Sequence, residues 1–392
     1  MKIIIHRGSH QIGGIATEIK TKTTRILIDM GDELSLDPDF VSAPLTIPGV
    51  TDENGNCDAV LFTHYHGDHT GQMTRIRKNI PLYAGKLAKD IMLVSSDRTK
   101  NVEFHEKIKT MQTFNSGEAF SIGDVSITPW SIDHSACDSY LFLIEADGKR
   151  VLYTGDFRMH GFRGKALPKI LYKIGKVDTL VTEGTTLSRQ NIQPMKEYEL
   201  QQKVKEYIDQ YKYVFVLCAS TNLDRICALS KAVPRGKYFI CDEYQKELLK
   251  LVEKHWGEFS SLYRNIKMTT YGNNLLQKLK DLGFLMVVRD NRNFRNIISK
   301  FPTDQSIILY SMWDGYLTKP DSTIPAFLNL AGKWEKLHTG GHASIQDIQT
   351  VIKISKPDKI IPIHTDSPTT LQDFCPTEKI IIAEDGKEIS IE

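Results

Sequence analysis

Several common signals are missing from this 392-residue chain. It has six cysteines, Cys57, Cys137, Cys218, Cys227, Cys241 and Cys375, but no C-x-x-C pair. They read as reduced packing residues of a cytoplasmic protein, not as a disulfide framework. No run approaches the roughly 18 apolar residues of a membrane-crossing helix, so no membrane partner is expected. The opening MKIIIHRGSHQIGG has an apolar run that ends at His6 without a cleavage-site pattern, so it predicts a first strand and not a signal peptide. Charge of one sign is also scarce, with 50 Lys and Arg against 48 Asp and Glu. That argues against a disordered tail and against a strongly basic DNA-coating protein. Internal repeats and low-complexity segments are absent. What remains is a globular composition, 41% hydrophobic and 25% charged, long enough for two or three domains.

Residues 1–185 read as many short strands with turn punctuation. IIIH, ATEIKT, RILIDM and AVLFTH are strand-length runs rich in Ile, Val, Thr and Leu. Asp147-Gly148 predicts a hairpin between YLFLIEA and RVLYTGD. Residues 70–79 and 83–94 are expected to be helical. From 186 to 335 apolar strands alternate with amphipathic helices, the pattern of a parallel sheet in a separate α/β domain. From 336 to 392 the first pattern returns, with a strand in KWEKLHT, a helix in SIQDIQTVIKISK, a strand in KIIPIHT and a closing Asp385-Gly386 hairpin. An α/β (α+β) architecture follows, in which residues 186–335 are inserted between the two parts of the other domain. The net charge of +2 is an average over these parts. Residues 186–335 hold 22 Lys and Arg against 16 Asp and Glu, a net +6, which leaves −4 for the rest. The inserted domain is therefore the expected holder of a phosphate backbone.

The sharpest local signal is THYHGDHT, residues 63–70, directly after the apolar strand AVLF. His64, His66, Asp68 and His69 put three imidazoles and a carboxylate at a strand-to-helix junction. One turn can aim His64 and His66 at one ion while Asp68 and His69 face another. Divalent cations, zinc especially, favour this nitrogen and oxygen mixture. Four ligands cannot complete two sites. His134 in SIDHSACDS, Asp156 in LYTGDF and His364 in KIIPIHTD each follow a predicted buried strand, as a metal site on a sheet rim requires.

HYHGDH matches the H-x-H-x-D-H motif of the metallo-β-lactamase superfamily. TEGTT (182–186), LHTGGHAS (337–344) and IPIHTDSP (361–368) resemble three motifs of its β-CASP branch, nearest to the ribonuclease J group. The resemblance implies an αββα metallo-β-lactamase sandwich interrupted by an α/β β-CASP domain. It implies two divalent metal ions, Zn²⁺ before Mn²⁺, with His64, His66 and His134 on one and Asp68, His69 and His364 on the other. Asp156 would bridge them. Asp68 would also hold the attacking water, Glu183 would orient neighbouring histidines, and His342 would face the scissile phosphate. The implied activity is hydrolysis of single-stranded RNA, by exonuclease or endonuclease action, with RNA held between the two domains and DNA as the other candidate substrate.

CASTNLDRI (218–226) resembles a phosphate-contacting stretch of the same group, which makes Thr221, Asn222 and Arg225 candidate RNA contacts. Thr221 and Asn222 read equally well as a helix cap. The helix starting near Ser344 offers backbone N–H groups to an anion. Trp313, in SMWDGYL, reads as packing and not base stacking. Gly340 stands where the ribonuclease J motif has a serine that helps hold a 5′-terminal phosphate, which argues against 5′-monophosphate recognition. The group's extra C-terminal domain, which supports dimers, is absent here, so a homo-oligomer stays open. Two competing readings are a metallo-hydrolase of a small ester or nucleotide and a non-catalytic RNA-binding regulator.

Overall fold

A computed structural model describes residues 1–37, 39–189 and 193–391. The chain divides into two compact units. Residues 1–34, 41–193 and 341–392 form the first, and residues 35–40 and 194–340 the second. In the first unit, β1 (Lys2–Arg7), β2 (Ala16–Lys20), β3 (Arg25–Ile28), β4 (Ala59–Leu61), β5 (Leu82–Gly85) and β6 (Gln112–Phe114) lie side by side in that order. The first three strands are antiparallel and the rest parallel. The second sheet starts with β7 (Phe120–Ile122), β8 (Val125–Ile132), β9 (Ser139–Ala146), β10 (Lys149–Tyr153) and β11 (Thr179–Glu183). As expected, Asp147-Gly148 turns β9 into β10.

The helices of this unit depart from the sequence expectation in two places. Residues 70–79 are not one helix: α1 (Gly67–Thr70) stops after a single turn. The Asp68 and His69 carbonyls, which would accept the next helical bonds, accept instead from the Ile15 and Met30 N–H groups. Gly31 permits this approach, since a Cβ there would fall 1.6 Å from the Asp68 carbonyl oxygen. Residues 83–94 split into the end of β5 and the start of α2 (Lys86–Thr99), which is followed by α3 (Val102–Lys109). α4 (Ala166–Ile174) connects β10 to β11.

The second unit is built on a wholly parallel sheet. Its strands are β12 (Tyr213–Leu217), β13 (Tyr238–Cys241), β14 (Thr269–Thr270), β15 (Phe284–Val288), β16 (Ser306–Tyr310) and β17 (Trp334–Lys336), in the order β14-β13-β15-β12-β16-β17. The helices are α5 (Glu197–Gln210), α6 (Leu223–Ala232), α7 (Glu243–Trp256), α8 (Leu276–Leu282), α9 (Arg292–Ile298), α10 (Gly315–Thr318) and α11 (Ile324–Leu328). Phe215, Leu217, Phe284, Met286, Ile308 and Tyr310 fill the core of this unit. The strand in KWEKLHT, expected to open the returning segment, pairs with β16 in this sheet instead.

At the heart of the second unit lies Arg225, 1% exposed. Its guanidinium donates to both Glu197 carboxylate oxygens, at 2.6 and 3.2 Å, and to the Ser311 and Thr339 carbonyls. Removing one partner of a buried ion pair strands the other charge. Arg225→Met is therefore expected to lower stability by about 3–5 kcal/mol. Adding Glu197→Met should restore most of the loss. Denaturant unfolding of both variants checks this, and equal losses in both would contradict it.

After the second unit the chain re-enters the first through α12 (Ile345–Ser355), β18 (Lys359–Ile363), α13 (Thr370–Phe374) and β19 (Glu388–Ser390). β18 joins the second sheet beside β11. Asp385-Gly386 does not close a hairpin: β19 crosses to the first sheet and pairs antiparallel with β1, and the Gly386 N–H donates to the Ile5 carbonyl. Side chains alternate across a strand. On β9, Tyr140, Phe142 and Ile144 meet Ile3, Ile5, Ile28 and Leu61 between the two sheets, while Leu141 and Leu143 pack with Leu167 and Leu171 of α4 and Ile348 and Val351 of α12. The fold is the mixed α/β class expected. Among the described residues no helix is long and apolar enough to cross a membrane.

Candidate metal centre

The chemistry-bearing residues of the first unit collect at the carboxyl ends of its strands. His64 follows β4, His134 follows β8, Asp156 follows β10, Glu183 ends β11 and His364 follows β18. Because β10, β11 and β18 run parallel, their ends reach one rim. There the ligating atoms of His64, His66 and His134 lie within 4.8 Å of one another, as do those of Asp68, His69, Asp156 and His364. His134, Asp156 and His342 form a third such group. One oxygen, Asp156 Oδ2, is common to the arrangement. It stands 3.3 Å from His69 Nε2, 3.5 Å from His342 Nδ1, 3.7 Å from His364 Nε2, 3.8 Å from His134 Nε2 and 3.9 Å from His64 Nε2.

Hydrogen bonds behind the rings decide which nitrogen faces inward with a lone pair. His69 Nδ1 donates to Asp29 Oδ2 at 2.8 Å, and His134 Nδ1 donates to the Gly341 carbonyl at 2.6 Å. The Thr63 hydroxyl donates to Asp29, so it accepts from His64 Nδ1 at 3.0 Å. In the same way Thr185 donates to the His364 carbonyl and accepts from His364 Nδ1 at 2.8 Å. In the neutral form each of these four imidazoles then presents Nε2 as its lone-pair nitrogen, the form a metal ligand needs; without a cation, His364 Nε2 instead donates to Asp68 Oδ2 at 3.1 Å. His66 turns Nδ1 inward, 3.2 Å from His134 Nε2.

Protonation states suit the same task. Burial and the neighbouring rings of His69 and His66 push His64 well below its ordinary value, and burial with His64 does the same for His134. Burial lowers His66 to about 4. Burial opposes charge on Asp156, but the imidazoles of His364, His69 and His342 outweigh it and hold its carboxyl well below the usual range. His64 Nε2, His69 Nε2 and Asp156 Oδ2 are buried and have no hydrogen-bond partner. Orphaned buried polar atoms are costly. Burial opposes charge on His69, but the Asp156, Asp29 and Asp68 carboxylates outweigh it and raise that imidazole well above its ordinary value, so a metal bound there would displace its proton. The neutral imidazoles of His64, His66 and His134 and the charged carboxylates fit a cation bound by nitrogen and oxygen.

Glu183, 2% exposed, accepts from the Phe157 and Ala343 N–H groups through Oε1 and from His342 Nδ1 at 3.0 Å through Oε2. Burial alone would lower the pKa of His342, yet the Glu183 and Asp156 carboxylates raise it to about 8.

Two contributors escaped the sequence reading. Asp29 is fully buried, accepts from the Thr63 N–H and hydroxyl, and fixes His69. A carboxylate closing the apolar strand RILI was the available signal. Thr185 sits inside TEGTT, but its partner His364 lies 179 residues away, and nothing local marks the pair.

The expected phosphate contacts fare differently. Arg225 is corrected: its guanidinium is consumed by Glu197, Ser311 and Thr339 in the interior and is not presented to a ligand. Asn222 occupies the cap position of α6, but its side chain makes no cap bond and its Oδ1 is buried without a partner. Thr221, which precedes that cap, is half-buried. Ser344 is corrected as an anion donor: it caps α12, its N–H donating to Asp347 Oδ2 and its hydroxyl accepting from the Asp347 N–H. A carboxylate therefore already occupies that helix start. Trp313 is not packed away, being 43% exposed.

An αββα sandwich with a histidine and aspartate cluster at its strand ends defines a metallo-β-lactamase-type protein. A β-lactamase superfamily domain matches residues 24–211, and a Zn-dependent metallo-hydrolase RNA specificity domain matches residues 329–373. Together these matches and the relatives that follow support a metallo-β-lactamase, RNase J-like protein of the β-CASP branch. An RNase J-like protein of Methanocaldococcus jannaschii is 28% identical over 215 residues, 52% of this chain and 48% of that one. Ribonuclease J of Mycoplasma genitalium is 20% identical over 401 residues, 93% of this chain and 67% of that one. For ribonuclease J of Pyrococcus abyssi the figures are 20% over 412 residues, 93% and 89%. The chain thus spans about half the length of the M. jannaschii relative. A crystal structure of a protein of unknown function from Enterococcus faecalis V583 shares the fold, with a TM-score of 0.79 at 21% identity over 99% of both chains.

Proposed function

We propose that this chain is a metal-dependent ribonuclease that hydrolyses phosphodiester bonds of single-stranded RNA. The observation that carries the reading is the Asp156 oxygen facing five inward imidazole nitrogens, with one donor group on either side of it. His64, His66 and His134 would hold one divalent ion and Asp68, His69 and His364 the other, with Asp156 shared between them and zinc the first candidate. Cations held there supply Lewis acidity, neutralising phosphate charge and making water a nucleophile at neutral pH. Asp68 would also hold the attacking water, whose proton would pass to solvent. His342 is anchored at Nδ1 by Glu183, so its Nε2–H is the free donor, and the leaving ribose oxygen receives that proton.

The RNA specificity domain matched at residues 329–373 and the ribonuclease J relatives support RNA as the substrate class. Residues 186–335 serve as the β-CASP domain, and the parallel sheet of the second unit supports that reading. Six free, buried thiols suit a reducing cytoplasm.

The test uses 5′-labelled and 3′-labelled single-stranded RNA, with matching DNA, in Zn²⁺ or Mn²⁺ beside a His66→Ala control. RNA cleavage that is lost in the control together with bound metal is the expected result. Absence of cleavage with either label and either metal would refute the ribonuclease reading, and activity that survives His66→Ala would refute the site. Cleavage of DNA at an equal rate would overturn RNA as the substrate.

A further inference from the structure

We propose that Trp313 and Tyr316 form a stacking platform for a nucleobase of the RNA, an inference that rests on the ribonuclease reading. The pair lies just beyond β16, at the carboxyl edge of the second unit's sheet, the edge where open parallel sheets bind ligands. Trp313 is 43% and Tyr316 42% exposed, an unusual surface for two neighbouring large aromatics. Their rings meet edge to face, with centroids 5.6 Å apart at 84°.

The platform is built in advance. The Tyr310 hydroxyl, rooted in the core, donates to the Trp313 carbonyl at 2.6 Å. The Tyr316 N–H donates to the same carbonyl at 3.2 Å. The indole lies against Gly315, where a Cβ would come within 2.6 Å of three ring carbons. Only glycine lets the ring lie down there. A ring fixed in this way has little conformational entropy left to lose on stacking.

Charge at the same edge favours a nucleic acid over an apolar partner. Lys336 ends the adjacent strand β17 with its side chain half exposed and neutralises Asp314, the acid between the two aromatics. Arg289, which follows β15 two strands away on the same rim, is paired with Asp242, and residues 186–335 carry a net +6. Cations beside exposed aromatics are the usual makeup of single-strand binding surfaces, where each stacked base contributes about 5- to 100-fold in affinity by alanine substitution.

The experiment compares full-length, metal-loaded wild type with Trp313→Ala and Trp313→Phe. Two probes are used: a phosphorothioate oligouridylate, and an abasic oligomer with the same number of phosphates. Trp313→Ala should weaken oligouridylate binding about 5- to 100-fold. Trp313→Phe should stay within about threefold of wild type, since a smaller ring still stacks. Abasic binding and the thermal midpoint should not change. Oligouridylate binding unaltered in Trp313→Ala overturns the proposal, and is the result expected if the patch serves a protein partner. Equal losses on both oligomers also overturn it, because the residue would then act through fold or charge. If the wild type binds neither oligomer, the ribonuclease reading falls and this inference with it.

Discussion

Asp156→Asn is expected to abolish stable metal binding and to reduce RNA cleavage at least about a thousandfold, corresponding to roughly 4 kcal/mol of lost transition-state stabilisation. No other group in the centre faces so many donors, with five imidazole nitrogens between 3.3 and 3.9 Å of its Oδ2. Asparagine keeps the volume and removes the charge that would offset the proposed cations. Metal analysis of purified protein checks the first half of this outcome. Chelation checks it again, because ligand at a thousandfold excess over Kd stabilises a fold by about 4 kcal/mol, and cleavage of labelled RNA checks the second half. The thermal midpoint of wild type should fall on chelation, whereas that of Asp156→Asn should hardly move. A variant that retains two equivalents of metal would contradict the bridging role.

His342→Gln is expected to reduce cleavage about 100- to 10,000-fold while leaving the metal content unchanged. His342 shares a group with His134 and Asp156, so metal analysis decides between proton donor and ligand. Metal lost from this variant would make His342 a ligand. The pH profile supplies a second readout. The carboxylates raise His342 from 6.5 to about 8, so the imidazolium persists below that value and is lost as pH rises through it. Bound cations oppose the proton, so the alkaline limb falls at or below about 8. Wild type should lose activity along that limb, and His342→Gln should lack it.

Much of the centre was legible in the chain because its signal is local. His64, His66, Asp68 and His69 fall within six positions after a buried strand, and a strand-to-turn junction converts that spacing directly into convergence. His134, Asp156 and His364 were each weak alone, being 22 residues or more from one another and 65 or more from that motif. They gained meaning from a shared position after a buried strand and from the resemblance of their motifs. The failures were of another kind. The 70–79 helix was broken by hydrogen bonds from Ile15 and Met30, and β19 left its expected hairpin for β1, both choices made by distant partners.

The outcomes at Arg225 and Trp313 make the same distinction. A basic residue in a strand-to-helix stretch reads locally as a phosphate contact, but Glu197, Ser311 and Thr339 arrive from remote parts of the chain and claim Arg225 for the interior. Trp313 reversed in the opposite direction: an aromatic that reads as packing stands exposed against Gly315. By itself the sequence determined the alternation of strands and helices, the metal-ligand spacing and the absence of disulfides, since periodicity and short-range geometry need only neighbouring residues. Tertiary structure alone decided which nitrogen of each histidine faces inward, through Asp29, Thr63, Thr185 and the Gly341 carbonyl. A tautomer is set by the partner of the opposite nitrogen, and most of those partners lie far away in the chain.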